Sequence, residues 1–148
     1  MAEAVTRAKV AAAGLDGRVV VDSAGTGDWH VGAQIHHGAR SELERRGYDG
    51  SAHRARQFDG SWLAERDLIL AMDASNLASL TRLARGEGAR DRIRLFGEVA
   101  GLGDRDVPDP YGTNPEEFAR VLGMVESGAD HLVARLSDLL GTAAQPGR

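Results

Sequence analysis

The chain predicts an α/β fold built on a parallel sheet, and three observations carry that expectation. Short apolar runs, β-branched at 19–21, again apolar at 68–72 and weaker within 92–99, alternate with stretches of helical period. The first two runs open into small, polar or acidic residues, the punctuation of a strand running into a loop. Strand and helix alternating throughout require helices on both faces of the sheet and put the functional loops at the strands' carboxyl ends.

The elements follow in order. Residues 2–13, "AEAVTRAKVAAA", are strong helix formers with Val5, Ala8 and Ala12 on one face, no capping residue before them and Gly14 as a stop. "RVVVDSAGTG" reads as a buried strand, 19–21, ending in a loop. Residues 36–46, "HHGARSELERR", have a modest helical pattern ended by Gly47, and 48–61 are loop-like. "RDLILAMD" is a second buried strand. After it, "ASNLASLTRLAR" is a helix with Leu77, Leu80 and Leu83 or Ala84 on one side, capped by Asp73 in preference to Ser75. "RIRLFGEV" is a third strand. The clearest element is 113–140: Thr113 or Asn114 caps it, Pro115 suits the first helical position, and Glu116 and Glu117 favour the positive end of the dipole. Phe118, Val121, Leu122, Val125, Ala129, Leu132, Leu136 and Leu139 recur at three and four, so this face packs on something. The tail "GTAAQPGR" is expected to fray.

Composition narrows the function. A chain of 148 residues is the size of one domain, and 42% hydrophobic with 27% charged residues is a soluble globular composition. No apolar run reaches the ~20 residues that span a bilayer and no signal-peptide core opens the chain, which points to the cytoplasm. A net charge of −4, with acids and arginines interspersed, argues against nucleic acid. One lysine, Lys9, beside seventeen arginines fits a genome rich in G and C. There is no cysteine, hence no disulfide, Cys-based zinc site or thiol nucleophile. The five histidines have no metal spacing, with His36 and His37 on different faces of any helix, so no metal site is expected.

Three loops hold the candidate chemistry. "DSAGTGDWHVG" has Gly-x-Gly without the third glycine or the Gly-Lys-Ser/Thr of a nucleotide site. Its Trp29 is either a wall for a flat substrate or a cover for the loop's own underside. In "SAHRARQF", His53 is read as hydrogen-bonding a neighbouring loop rather than as a base, since no Ser nucleophile motif accompanies it. "VPDPYG" sets Asp109 between two prolines, which either make a surface turn or brace a carboxylate in a stiff loop.

With "MAEAV", "DSAGTGDWHVG", "HRARQ", "DLILAMDASNL" and "DVPDPYG" in this order, essentially the whole chain, 1–148, resembles the low-molecular-weight protein tyrosine phosphatases. The resemblance implies a single domain with a three-layer, flavodoxin-like four-stranded parallel sheet flanked by helices. It also implies a phosphate-binding loop of pattern Cys, five residues, Arg, Ser/Thr after the first, central strand. In this likeness Asp109 is the general acid that protonates the leaving tyrosyl oxygen, then takes a proton from the water that hydrolyses the cysteinyl-phosphate. Trp29 and Tyr111 become opposite walls for the phosphotyrosine ring. Ser23 and His53 hydrogen-bond the phosphate loop, with Asp73 behind it. The partner implied is a phosphotyrosine protein or a small aryl phosphate, and no cofactor is implied. In the family "MAEA" follows the Cys-to-Arg loop, so the nucleophile and the central strand are expected before Met1. Three outcomes stay open: a gene product that starts upstream, a truncated chain that is catalytically dead, and a non-catalytic module that binds phosphotyrosine or protein through Trp29 and Tyr111. A sheet without its central strand is expected to fold poorly or to rearrange.

Overall fold

The computed structural model describes residues 1–103 and 105–143, with backbone alone for 141–143. Its elements are helices α1 (Ala2–Ala12), α2 (His37–Arg45) and α3 (Trp62–Glu65), strand β1 (Ile69–Ala71), helices α4 (Ala74–Leu83) and α5 (Glu87–Arg90), strand β2 (Ile93–Leu95), and helices α6 (Phe96–Val99) and α7 (Pro115–Ala143). β1 and β2 run parallel, with Ile69, Leu70 and Ala71 opposite Ile93, Arg94 and Leu95. Among the described residues the sheet has these two strands, where the resemblance implies four.

Helices cover both faces of this sheet. Side chains alternate along a strand, and β1 shows it: Ile69 and Ala71 pack with Leu63, Leu80 and Ala84 on the α3/α4 side. Leu70 instead meets the main core of Val5, Leu43, Phe96, Val107, Val121, Leu122, Val125 and Ala129, where α1, α2, α6 and α7 converge. A third cluster, Val10, Leu15 and Val133, closes the far end of α1 against α7. Gly128 lets α6 approach α7: a Cβ there would lie 2.7 Å from the Phe96 ring. No described helix is long and apolar enough to cross a membrane.

The run at 19–21 is not a buried strand. Val20 is 93% exposed, and the residues around it have no strand partner beyond an isolated bridge from Gly25 to Gln57. β-branched residues favour extension, but a strand exists only where a neighbour takes up its amides. The third strand is also shorter than expected, because the chain turns into α6 at Phe96. On α1 the buried face is Val5, Thr6 and Val10, while Ala8 and Ala12 are exposed. α7 packs on Val5 and Val10, so the larger side chains decide which face turns inward.

The caps behave as local chemistry dictates. Asp73 accepts from the Asn76 amide at 2.7 Å, and Asn114, in preference to Thr113, accepts from Glu117 at 2.9 Å. Ala84 at 4% exposure, rather than Leu83 at 52%, completes the inner face of α4. Leu139 falls off the buried face of α7 at 65% exposure, and Val133 joins it. The helix continues to Ala143, past the start of the tail expected to fray; 144–148 lie outside the described residues.

Two arginine-held carboxylates make stability pH-dependent. Hydrogen bonds from Arg45, then Arg46, hold Glu42 below the glutamate value of 4.5, and Arg66, then Arg56, hold Asp22 below 3.8. A depressed folded pKa contributes stability that is complete above the unfolded value and lost as pH falls through the folded one. The melting temperature should therefore be insensitive to these groups down to about pH 5 and decline below it. Thermal melts of the Glu42→Gln, Asp22→Asn double variant should start lower at neutral pH and decline less in acid. An acid decline identical to that of the unsubstituted chain would show that neither carboxylate contributes.

Candidate active site

The "VPDPYG" loop is tied down before it reaches its carboxylate. The Val107 amide donates to the Met72 carbonyl at 2.8 Å, and the Asp106 carboxylate accepts from the Ala74 amide at 3.0 Å, fastening the loop to the turn between β1 and α4. Beyond it, the Thr113 amide donates to the Pro110 carbonyl at 3.1 Å, with Pro110 buried. Asp109 itself is exposed. Its Oδ1 accepts from the Tyr111 amide at 3.0 Å, and Oδ2 makes no hydrogen bond within the described residues. An aspartate bonded to the backbone two residues on is a turn device, and this turn is fastened on both sides by the hydrogen bonds of Val107, Asp106 and Thr113.

Asp109 shares a cavity of about 350 Å³ with Trp29, Tyr111, His30, His36 and the Met1 end of the chain. Burial pushes the Met1 amino group below its ordinary value of 8.0, partly offset by Glu3 and Asp109. Trp29 is 77% exposed and Tyr111 58%. The indole folds back over Gly27, where an added Cβ would sit 2.0 Å from its Cη2, so any side chain there would push the ring away. Trp29 thus covers its own loop and faces the cavity as well.

Ser23 and His53 meet through a residue that was read from sequence only as part of a helix. The Glu3 carboxylate accepts from Ser23 Oγ, lies 3.3 Å from His53 Nδ1 and pairs with Arg7 at 2.5 Å. The loops that carry Ser23 and His53 continue into a short backbone pairing, with the Gly25 amide on the Arg56 carbonyl and the Phe58 amide on the Gly25 carbonyl, both 2.8 Å. Arg56 and Arg66 each lie 5.0 Å over Trp62, and Asp22 bridges them at 3.3 and 2.7 Å. Asp73 belongs to neither group, because its carboxylate is engaged at the start of α4.

Also missed from the sequence were His36 and Phe118, which stack at 5.5 Å with an interplanar angle of 5° beside Tyr111. His36 is the cap of α2 rather than part of the helix, which is why its ring lies only 4.3 Å from His37. The acidic residue in the first turn of α1 was the one available signal for Glu3; nothing local pointed to His36. Among the described residues no three histidine or carboxylate side chains converge as a metal-binding set.

This arrangement has relatives. The family model for low molecular weight phosphotyrosine protein phosphatase matches residues 1–140. A low molecular weight protein-tyrosine-phosphatase of Streptomyces coelicolor is 44% identical over 142 residues, covering 93% of this chain and 85% of its own. The crystal structure of YfkJ from Bacillus subtilis, 36% identical, superposes with a TM-score of 0.81 over 93% of this chain and 86% of that one. A protein tyrosine phosphatase of Entamoeba histolytica, 28% identical, reaches 0.86 over 93% and 87%. The described residues thus share the α/β fold of these solved structures. Matched over nearly its whole length by family model, sequence and fold alike, the chain belongs to the low molecular weight phosphotyrosine protein phosphatases.

Proposed function

We propose that the cavity between Trp29 and Tyr111 receives the ring of a phosphotyrosine, in a protein or in a small aryl phosphate, with Asp109 as the group that protonates the departing tyrosyl oxygen. The observation that carries this reading is the placement of one loop-fixed carboxylate on the same cavity as two exposed aromatic walls. Tyr111 takes up Oδ1 of Asp109, which leaves Oδ2 for a leaving oxygen. Flat aromatic walls favour an aryl group over the shorter serine phosphate. Ser23 and His53, joined by Glu3, steady the base of the Trp29 loop in this reading, and Asp73 steadies the β1–α4 turn to which the Asp109 loop is fastened. In-line attack on phosphorus by a thiolate needs a cysteine, and these 148 residues contain none. They are thus expected to bind an aryl phosphonate without hydrolysing an aryl phosphate.

The test is a calorimetric titration with benzylphosphonate, beside an assay with para-nitrophenyl phosphate. Millimolar binding is expected, weakened roughly tenfold by Trp29→Ala or Tyr111→Ala, with no turnover above buffer. Absence of binding at tens of millimolar, or turnover that Asp109→Asn abolishes, would overturn the respective half of this reading.

A further inference from the structure

We propose that His36 is a positioning residue for the aromatic wall: its ring links the start of α2 and the core residue Phe118 to Tyr111, and so sets the tilt at which Tyr111 faces the cavity. The inference rests on the aryl-binding reading of that cavity. Tyr111 is 58% exposed, and the hydrogen bond its amide donates to Asp109 fixes its backbone but not its ring. Two imidazoles constrain the ring: His36 edge-on at 5.0 Å with an interplanar angle of 63°, and His30 tilted at 5.6 Å. His30 sits on an exposed loop and gives little support. His36 is fixed twice, because it stacks on Phe118, 5% exposed, and because its Nδ1 accepts from the Gly38 amide at 3.2 Å. Nδ1 can accept only when it carries no proton, so the ring's proton lies on Nε2. Gly38 is part of the same fit: a Cβ there would meet Phe118 at 2.9 Å and His36 Nδ1 at 3.3 Å. Edge-to-face packing of this kind is directional, which makes His36 a lever on ring orientation as well as on area.

Two variants separate the ring from the cap. His36→Asn keeps a side-chain oxygen for Gly38 and loses the ring, whereas His36→Phe keeps the ring and loses the acceptor. In the full chain, the Tyr111 ring-proton resonances should shift in His36→Asn, with benzylphosphonate bound roughly threefold to tenfold more weakly and melting little changed. His36→Phe should keep the Tyr111 resonances near those of the unsubstituted chain and melt at a lower temperature. Unmoved Tyr111 resonances in His36→Asn, or the same shift in both variants, would reduce His36 to a helix cap and overturn the proposal. If the unsubstituted chain binds no benzylphosphonate, the aryl-binding reading fails, while the Tyr111 resonances still decide whether His36 orients the ring.

Discussion

Leu122→Ala is expected to lower the unfolding free energy by about 3–5 kcal/mol, the upper range for leucine truncation in a core that cannot collapse. Leu122 is 0% exposed and lies where α7 meets Val5 of α1, Leu43 of α2, Phe96 of α6 and Val107 at the root of the Asp109 loop. Few sites have less room to relax, because four helices and a fastened loop would have to move together to fill the space. At roughly 2–4 °C per kcal/mol for a chain of this size, the melting point should fall by about 10 °C. Leu139→Ala is the control on the same helix: at 65% exposure it should change stability by less than ~0.5 kcal/mol. Urea denaturation of the two variants checks both numbers. A Leu122→Ala loss no larger than that of Leu139→Ala would mean that the converging helices do not form one core.

The sequence made legible whatever depends on short-range period and on caps. The face of α7 from Phe118 to Leu132, the cap at Asp73 and the strand at 69–71 follow from spacing and from single side chains bonding nearby amides. The extended run at 19–21 could not be judged that way, because pairing depends on a distant neighbour and Val20 has none among the described residues. The candidate site divides along the same line. Trp29, Asp109 and Tyr111 announced themselves as aromatic and carboxylate residues among glycines and prolines, and they do share a cavity. Glu3 and His36 did not, since each acts across 20 or more residues of sequence, Glu3 on Ser23 and His53 and His36 on Tyr111 and Phe118.

Glu3→Ala should cost about 2–3 kcal/mol, although Glu3 lies outside the Trp29 and Asp109 cavity lining. Its side chain is 17% exposed, and its pairing with the 57% exposed Arg7 is screened by solvent and counts for little. The loss comes from Ser23 and His53, both partly buried, which would be left without their shared acceptor. Glu3→Gln keeps an oxygen for Ser23 and should cost about half as much. A double-mutant cycle with His53→Ala isolates the contact: a coupling of about 1 kcal/mol is expected, and additivity within ~0.3 kcal/mol would remove His53 from the network. The consequence reaches the cavity through the backbone. Ser23 leads to Gly25 and on to Trp29, and His53 leads to Arg56 and Phe58. The two segments meet in the hydrogen bonds of Gly25 with Arg56 and Phe58. Without Glu3 that pairing keeps the Arg7 hydrogen bond to the Val21 carbonyl but loses the side-chain anchor of Ser23 and His53 on α1, so the amides of Gly25 and Phe58 should exchange faster and benzylphosphonate should bind more weakly, with Trp29 itself unchanged. If those two amides keep their protection in Glu3→Ala, the Trp29 loop holds itself in place and Glu3 serves α1 alone.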